Sequence, residues 1–423
     1  MTPHHRRKRL LLTLLSAFLL ASLTACWSSK DIDKMGVGVG LSLDVAHPSP
    51  VEQELEKRGG AYPKSDKITL TYQFINPKAT GKEGTSTGPQ QKAYLNVSET
   101  GDSLHQITRE FALRQDGPIY SPHLKVIVIS EALAQSYRLD HLLDQYLRDN
   151  EIRPSCLIFI SKDKAMDALE SKKQGELPAL HLLGITDNEN RTDRLIHPVS
   201  LARLATHMNS GSSFLLQNLV SAEKEVKFAG AAVINGVTKR WGGFLDEHDL
   251  EGLTWITGKG KGGVLKSLDK KTGQLLVYEI KTMDSTITPK VEKDRISFEV
   301  TIKSEGRLSE KWVTSGDPFD QGFLKRVEQT TEAEVQQLVR NVTNKMQKQF
   351  KADVAGFGNR LRIEYPRTWE KVKTDWDRTF CTVPISYAVH VTISDFGASG
   401  LLSKSFRITL PNESALLLRK KPE

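Results

Sequence analysis

The sequence has little cysteine, no second long apolar run and none of the common motifs for metal binding or covalent catalysis. Cysteine occurs only three times among 423 residues. No HExxH, calcium-loop or GxSxG motif is present, and the 11 histidines are scattered along the chain. After residue 26, no apolar stretch approaches the roughly 20 residues that a membrane-spanning helix needs. We therefore predict neither a metal site nor a cofactor site, and we expect the chain beyond this point to be soluble.

A serine-transpeptidase pattern is present only in part. Ser221 to Lys224 matches SxxK, and Lys271 to Gly273 matches KTG. The element that belongs between them is missing, because no Ser-x-Asn occurs and the one Tyr-x-Asn, at Tyr94 to Asn96, precedes the serine. The KTG motif also falls in a predicted hairpin turn, where lysine and glycine are common. We predict no catalytic residue, and the chain is expected not to be an enzyme.

The first 26 residues have the pattern of a bacterial lipoprotein signal. Residues 6–9 are all basic, and Leu10 to Leu23 is a largely apolar run of 14 residues. That run is too short for an ordinary spanning helix, and its flanks are those of a removable segment. Leu23-Thr24-Ala25-Cys26 then matches a lipobox. We predict that residues 1–25 are a signal peptide and that Cys26 carries a diacylglycerol, which holds the mature chain on the outer face of a membrane. An uncleaved N-terminal anchor is the alternative and leaves the chain on the same side.

Removal of residues 1–25 takes away four basic residues and no acidic one. Lys+Arg falls from 59 to 55 against 51 Asp+Glu, so the formal net charge falls from +8 to +4. Binding to a nucleic-acid backbone requires a clustered basic face, and the mature chain has no such excess. We therefore predict no nucleic-acid partner.

Two cysteines remain once Cys26 is lipidated. Cys156 lies in the strand-like run Ser155 to Ile160, where a free cysteine is commonly buried as a small hydrophobic residue. Cys381 is far away in sequence, and neither cysteine belongs to a CxxC motif or a histidine ladder. Burial as free thiols is the favoured interpretation, and a disulfide between the two stays open.

The first half of the chain alternates strands with helices. Residues 37–45 have the period-2 pattern of a half-buried strand, and 46–66 and 77–91 have the composition of loops. The continuous β-branched run at 125–129 is typical of a strand that is covered on both faces. The predicted elements are strands over 37–45, 68–75, 93–98, 124–130 and 155–161 and helices over 102–114, 131–148 and 163–172. This alternation predicts a mixed sheet with helices packed on it.

The second half of the chain has the pattern of an antiparallel-rich sheet with one long helix. Asn235-Gly236 between two apolar runs is a strong hairpin signal. The predicted elements are strands over 229–235, 238–245, 262–268, 274–284, 294–308, 383–394 and 401–410 and helices over 246–256 and 319–351. The long helix carries one apolar stripe, formed by Phe323, Val327, Val335, Leu338, Val342, Met346 and Phe350. This stripe is most simply the face that packs on the sheet, and a coiled-coil partner is the alternative.

These patterns together predict a multi-domain α/β chain of the mixed α+β kind. We expect an N-terminal mixed α/β domain over 26–205, with two subdomains as an open alternative. A linker over 206–225 follows, and the C-terminal α/β domain is predicted over 226–415. The region from 175 to 225 is ambiguous, because proline and a run of serine and glycine break its periodicity.

A block near the C-terminus is rich in glycine and aromatic residues. It comprises Asp353-Val354-Ala355-Gly356-Phe357-Gly358, then Tyr365-Pro366-Arg367-Thr368-Trp369, then Asp375-Trp376. Gly356 and Gly358 indicate the turn that ends the long helix, since a left-handed residue there is usually glycine. Phe357 between them is expected to fold back as an apolar plug. Trp369 and Trp376, seven residues apart, are expected to share one face of a short helix.

The order and spacing of these segments resemble the Ger(x)C family, the lipoprotein C subunits of spore germinant receptors. The family pattern is roughly D-x-x-G-F-G, a proline followed by a tryptophan, and a second tryptophan. Further matches in family order are Cys26-Trp27, Ser121 to Ser130, Leu147 to Arg153, Gly230 to Val233 and Trp241 to Leu253. The resemblance covers essentially residues 26–400, and it departs from the family at Ser28-Ser29-Lys30, where relatives are usually more charged.

The resemblance implies a protein of sporulating bacteria. Such a subunit is held by its lipid on the outer face of the inner spore membrane, or on the cell membrane before sporulation completes. It assembles with two integral membrane subunits, of A and B type, and takes part in assembly or signalling during nutrient-triggered germination. The implied motif residues, for which packing is favoured over ligand contact, are Asp353, Gly356, Phe357, Gly358, Pro366, Trp369 and Trp376. A solute-binding lipoprotein of a transport system is the alternative, and it predicts two similar lobes around a ligand cleft.

The lipobox leads to a direct prediction. Cys26→Ala removes the thiol that accepts the diacylglycerol, so we expect the variant to stay uncleaved or to be mislocalised. Membrane fractionation with electrophoresis of the processed chain measures this. Cys381→Ala, outside the lipobox, serves as the control and should be processed like the parent. Normal cleavage and lipid labelling of the Cys26→Ala variant would contradict the assignment.

Overall fold

The computed structural model describes residues 35–80, 91–115, 117–314 and 316–397, together with Thr13 and Ser16. The predicted signal peptide, Cys26 and the strand predicted over 401–410 lie outside the described residues. Within those residues, the chain forms two mixed β-sheets with helices packed against them. The predicted mixed α/β class is therefore confirmed.

The strands divide into a larger and a smaller sheet. They are β1 (Gly36–Val45), β2 (Ile68–Ile75), β3 (Tyr94–Gly101), β4 (Ile119–Tyr120), β5 (Val126–Ser130), β6 (Leu157–Ser161), β7 (Phe214–Ala222), β8 (Glu225–Ile234), β9 (Trp241–Leu245), β10 (Val264–Leu268), β11 (Leu275–Glu292), β12 (Arg295–Lys311) and β13 (Ile385–Asp395). The larger sheet has the order β3-β2-β1-β5-β6-β7-β8-β9, with β4 beside the start of β1. The smaller sheet has the order β10-β11-β12-β13. Parallel pairs occupy the middle of the larger sheet, and antiparallel pairs extend it on both sides.

The helices cover both sheets. They are α1 (Pro50–Leu55), α2 (Pro77–Thr80), α3 (Leu104–Glu110), α4 (Glu131–Ser136), α5 (Leu139–Arg148), α6 (Pro178–Thr186), α7 (Leu201–Ser210), α8 (Glu247–Thr257), α9 (Gln321–Asn344), α10 (Phe357–Glu364), α11 (Pro366–Val372) and α12 (Trp376–Phe380). In the part of the chain that the structure describes, no helix combines the length and the apolar composition needed to cross a membrane.

The middle strands of the larger sheet are buried on both faces. Val126 and Val128 of β5 pack in one apolar core, and Ile127 and Ile129 pack in the other. The prediction of a doubly covered strand at this place is therefore confirmed. The prediction that 37–45 is a half-buried strand was wrong. β1 lies between β2 and β5, and it is buried from its third to its ninth residue.

Residues 46–66, predicted to be an exposed loop, contain α1 and a buried ion cluster. The Ser49 hydroxyl accepts a hydrogen bond from the Glu52 amide, and the Glu52 carboxylate accepts one from the Ser49 amide. Glu52 is buried, lies 2.9 Å from the Lys64 ammonium and accepts a hydrogen bond from the Thr100 amide at 2.8 Å. The loop prediction was wrong here because these polar residues pair with one another against β3 rather than with water.

Two predicted helices of the N-terminal half are present in altered form. The helix predicted over 131–148 divides into α4 and α5, and the one predicted over 163–172 shortens to a 3₁₀ turn at Ala165–Leu169. Asp44 of β1 accepts hydrogen bonds from the first two amides of this turn, at 2.7 and 3.0 Å. Burial raises the pKa of Asp44 to about 6. A side chain from a strand that is distant in sequence therefore stabilises this turn, and the local sequence pattern does not indicate the contact.

The larger sheet continues across the segment predicted to be a linker. Residues 206–225 contain the end of α7, the whole of β7 and the turn into β8. Ala231 and Val233 of β8 pack in the core of the C-terminal half, whereas Ala232 and Ile234 pack in the core of the N-terminal half. Successive side chains of a strand point to opposite faces, so one strand contributes to both cores. The division into two domains stays a prediction, and the described strands join the halves at this place.

The smaller sheet is rich in antiparallel pairs, as predicted. β10, β11 and β12 pair antiparallel, and β13 adds a parallel edge. β11 and β12 are 18 and 17 residues long, so they extend beyond the predicted ranges 274–284 and 294–308. They are joined by a turn at Lys293 and Asp294, which both have positive φ.

The long helix packs on this sheet through the predicted stripe. α9 and the π-helical turn after it cover residues 321–350. Six residues of the stripe are buried in the C-terminal core, and Phe350 is partly buried against it. The stripe is therefore a packing face, and within the described residues its partners are α8 and the smaller sheet.

Candidate functional site

The carboxylate of Asp353 organises the glycine- and aromatic-rich block. Its Oδ1 accepts hydrogen bonds from the amides of Gly356 and Phe357, at 2.9 and 3.1 Å. Its Oδ2 accepts one from the Gly358 amide at 2.7 Å and one from the Trp376 indole at 2.9 Å. The first amides of a helix have no partner within the helix, so a buried carboxylate at this place satisfies the start of α10.

The two glycines of the block have different roles from the predicted one. The long helix ends at Lys351, which itself adopts a left-handed conformation with φ 50°. Gly356, with φ 88°, instead directly precedes α10. Gly358 lies in α10, where a Cβ would stand 2.5 Å from Nε1 of Trp376. The glycines therefore permit the start of α10 and its close approach to Trp376, and they do not end the long helix.

Aromatic rings surround this hydrogen-bonded centre. Phe357 is fully buried, and its ring centroid lies 5.1 Å from that of Phe298 in β12 and 5.5 Å from that of Phe380. Trp369 and Trp376 are also in contact, with ring centroids 5.5 Å apart. They do not share one short helix as predicted, because a 3₁₀ turn separates α11 from α12.

Pro366 occupies the first position of α11, where its missing amide proton costs no hydrogen bond. The proline thus begins a new helix directly after α10, and the chain changes direction at this point. Pro366 is exposed. Whether the block as a whole has a structural role stays a prediction.

Asp377 connects the block with the larger sheet. Its Oδ1 accepts a hydrogen bond from the Asp353 amide at 3.2 Å, and its Oδ2 accepts one from the Ser213 hydroxyl at 3.0 Å. The same hydroxyl accepts a hydrogen bond from the Gly236 amide at 3.0 Å. Burial raises the pKa of Asp377. A chain of hydrogen bonds therefore runs from the C-terminal block to the residue before β7.

A cleft with a volume of about 1070 Å³ lies where the block faces the N-terminal half. One wall is formed by five of the seven motif residues, namely Asp353, Gly356, Gly358, Trp369 and Trp376. Other lining residues come from the segment 189–199, from 210–215, which joins α7 to β7, and from the end of α8 and the residues after it, 257–261. Clefts of several hundred Å³ lined by aromatic and a few polar groups are common small-molecule sites. The structure thus brings the motif to a concave surface between the two halves.

Asp193 lines this cleft, and the sequence analysis did not single it out. Only 2 % of its surface is exposed, and its Oδ2 has no hydrogen-bond partner among the described residues. Burial, followed by the charge of Glu251, raises the pKa of Asp193 to about 7. The residue lies in the ambiguous region after residue 175, where a single aspartate in a loop carries no pattern that could have identified it.

The residues of the incomplete transpeptidase pattern lie apart in the fold. Ser221 and Lys224 lie at the turn between β7 and β8, and Lys271 to Gly273 lie at the turn between β10 and β11 of the other sheet.

Cys156 and Cys381 are both free thiols, and burial raises the pKa of Cys156. In the ranges that the structure describes, no group of three or more His, Cys, Asp or Glu side chains could hold a metal ion.

Two family models match the chain. The model described as "Spore germination protein N-terminal domain" matches residues 28–220. The model described as "Spore germination B3/ GerAC like, C-terminal" matches residues 229–397. The two matches together include the Asp353 block and the larger sheet except for the end of β7 and the start of β8.

Curated relatives match over most of their length. The chain is 50 % identical over 384 residues to spore germination protein YndF of Bacillus subtilis (strain 168), a match that covers 90 % of this chain and 95 % of the relative. From the same organism, spore germination protein A3 is 31 % identical, with 89 % and 95 % covered. Among solved structures, the crystal structure of the GerBC protein matches with a TM-score of 0.58 and 24 % identity. That match covers 79 % of this chain and 97 % of the other and concerns the fold.

The close approach of Gly358 to Trp376 leads to a prediction. Gly358→Ala places a methyl group against the indole, and we expect the free energy of unfolding of the full chain to fall by about 1–3 kcal/mol. Gly184→Ala is the matched control, since this helical glycine of α6 has open space around it. It should be neutral or stabilising by roughly 0.4–1 kcal/mol. Denaturant unfolding measures both, and equal effects would contradict the tight packing.

The raised pKa of Asp193 leads to a second prediction. The unfolded chain releases this proton near pH 4 and the folded chain near pH 7, so the unfolded state binds fewer protons between these values. The contribution of Asp193 to stability is therefore largest below pH 4 and falls as the pH rises, by up to about 4 kcal/mol. Asp193→Asn should remove this decline. Unfolding of parent and variant at pH 4 to 8 measures the difference, and a difference independent of pH would refute the assignment.

Proposed function

The chain belongs to the GerAC-like family of spore germination proteins, and from this premise we propose that it is the lipid-anchored C-type subunit of a germinant receptor. The observation that carries the proposal is the 50 % identity to spore germination protein YndF over 90 % of the chain. The motif block and the lipobox support it, because they occur together and in family order. We assign the chain a role in assembly or signalling of nutrient-triggered germination rather than in catalysis.

The proposed place of the chain is the outer face of the inner spore membrane, or the cell membrane before sporulation completes. Cys26 is ten residues before Gly36, where β1 begins. An extended chain spans at most about 3.6 Å per residue, so the lipid keeps the start of the larger sheet within about 35 Å of its anchor. This short tether favours contact with membrane-embedded partners, and we propose integral membrane subunits of A and B type as those partners.

A solute-binding lipoprotein of a transport system is the second candidate, because the cleft could hold a small molecule. That class predicts two similar lobes that close around the ligand. The two halves of this chain are unlike, since most strands of the larger mixed sheet belong to one half and the smaller antiparallel-rich sheet with α9 belongs to the other. We therefore prefer the receptor role.

Deletion of the gene tests the proposal. Spores without the chain should lose germination on at least one nutrient from a panel of amino acids, sugars and nucleosides, and complementation should restore it. Complementation with Cys26→Ala should fail, whereas Cys381→Ala, which keeps the lipobox, should succeed. Response to nutrients read by other receptors should stay unchanged and serves as the control.

Two outcomes would count against the receptor role. Normal germination of the deleted spores on every nutrient would contradict it. Loss of uptake of one solute by growing cells, with normal germination, would favour the transport alternative.

A further inference from the structure

The register of the larger sheet shows which end of the molecule joins the tether. β1, β5, β6 and β7 pair in parallel, so they begin at the same edge of the sheet. The chain that comes from Cys26 enters this edge at Gly36, and residues 210–213 lie at the same edge directly before β7. We call it the tethered edge, because the proposed lipid anchor limits the distance between this edge and the membrane.

The glycine- and aromatic-rich block lies beside the tethered edge. The hydroxyl of Ser213 donates to Asp377 at 3.0 Å, and Asp377 accepts a hydrogen bond from the Asp353 amide at 3.2 Å. The Asp353 carboxylate holds the start of α10, and α11 follows α10 after the single residue Tyr365. These contacts place both short helices at the end of the molecule that joins the tether.

The corner between α10 and α11 presents apolar side chains to solvent. Ile363, near the end of α10, is 59 % exposed, and Tyr365, between the two helices, is 36 % exposed. The opposite face of α10 is buried in the core through Phe357 and Leu361. Packing within the chain therefore explains one face of α10 and leaves the apolar residues of the other face unexplained. An exposed apolar surface with a polar border favours a contact with another molecule or with a membrane.

Three arginines, Arg360, Arg362 and Arg367, border this apolar corner. All three are exposed, and within the ranges that the structure describes none of them forms an ion pair. Lys371, further along α11, differs from them because it lies 3.1 Å from Asp294. The corner thus carries positive charge that the chain itself does not neutralise.

Helix stability does not account for all of these arginines. Arg362 lies in the last turn of α10, where the helix dipole favours a cation, and it donates to the Asn359 side chain at 2.9 Å. Arg367 is the second residue of α11, where the dipole opposes a cation. Three arginines against one glutamate, Glu364, leave a formal net charge of +2 on residues 360–367. An anionic surface would complement this charge.

We propose that the corner formed by α10 and α11 is a membrane contact surface. Its three arginines bind the phosphates of anionic phospholipid headgroups, for which the planar guanidinium offers paired donors. Ile363 and Tyr365 enter the interface between headgroups and acyl chains, a place that suits a ring with one polar end. The inference rests on the lipid anchor of the proposed function, because the anchor brings this corner to the membrane.

A polarity-sensitive label at the corner tests the proposal on the full lipidated chain. Acrylodan is attached to Ile363→Cys in a Cys381→Ala background, in which Cys156 is buried. The chain is inserted into preformed vesicles of phosphatidylcholine alone, or of phosphatidylglycerol and phosphatidylcholine in equal parts. We expect a blue shift of the emission on the mixed vesicles only. The shift should be lost in roughly 0.5 M salt, where the screening length is about 4 Å.

A label at the opposite end of the larger sheet is the positional control. Val51 is 60 % exposed and lies in α1, which follows the end of β1. Acrylodan on Val51→Cys, in the same Cys381→Ala background, should therefore stay in water on both kinds of vesicle. An equal shift at Val51 and Ile363 would overturn the proposal, because the contact would then not be specific to the corner.

Two triple variants with the same change of charge locate the contact. In the first, glutamine replaces the arginines of the corner, as Arg360→Gln, Arg362→Gln and Arg367→Gln. In the second, glutamine replaces three exposed lysines of β10 and the turn after it, as Lys266→Gln, Lys270→Gln and Lys271→Gln. With the label at Ile363→Cys, the first variant should lose the blue shift and the second should keep it. Melting curves check that both are folded, and the salt dependence of the chain with all its arginines decides the question if one is not.

The outcomes separate this inference from the proposed function. Mass spectrometry of the purified chain establishes beforehand whether Cys26 carries the diacylglycerol. A chain without the lipid contradicts the proposed anchor. An anchored chain whose Ile363 label gives the same emission on both kinds of vesicle, or keeps its shift in the triple arginine variant, overturns only the membrane contact. An acidic segment of a partner protein would then be the better occupant of the corner.

Discussion

The C-terminal part of the structure depends on the carboxylate of Asp353. One side chain accepts hydrogen bonds from three backbone amides at the start of α10 and from the indole of Trp376. Because the donors come from two helices, the carboxylate sets their relative position. Its own backbone amide donates to Asp377, which in turn holds Ser213 before β7. The aromatic cluster, the wall of the cleft and the contact between the halves all follow from this arrangement.

Much of the fold could be predicted from the sequence because its periodic signals are strong. The doubly covered run of β5, the strand at 68–75 and the apolar stripe of α9 lie where the patterns placed them. In these elements, burial on one or two faces determines the residue types, so the pattern and the structure carry the same information. The glycine and tryptophan motif likewise predicted the family from the sequence alone.

The errors have a common physical cause, which is pairing between residues far apart in sequence. The polar composition of 46–66 suggested a loop, although Glu52 and Lys64 are buried against β3. The segment 206–225 suggested a linker, although β7 lies inside a sheet. Asp193 had no sequence signal, because its raised pKa comes from burial and from the charge of Glu251, a residue distant in sequence. Long-range partners of this kind are invisible to local patterns.

The hairpin of β7 and β8 constrains how the two halves of this chain can be inherited. The two family models end and begin on its strands, at residues 220 and 229. Leu216 and Ala232 are register partners in this hairpin, and alternate residues of β8 belong to different cores. A recombination event between relatives at this boundary would join two strands selected in different backgrounds, each with its own neighbours. A change in the packing of one core is therefore transmitted through this hairpin to the other core.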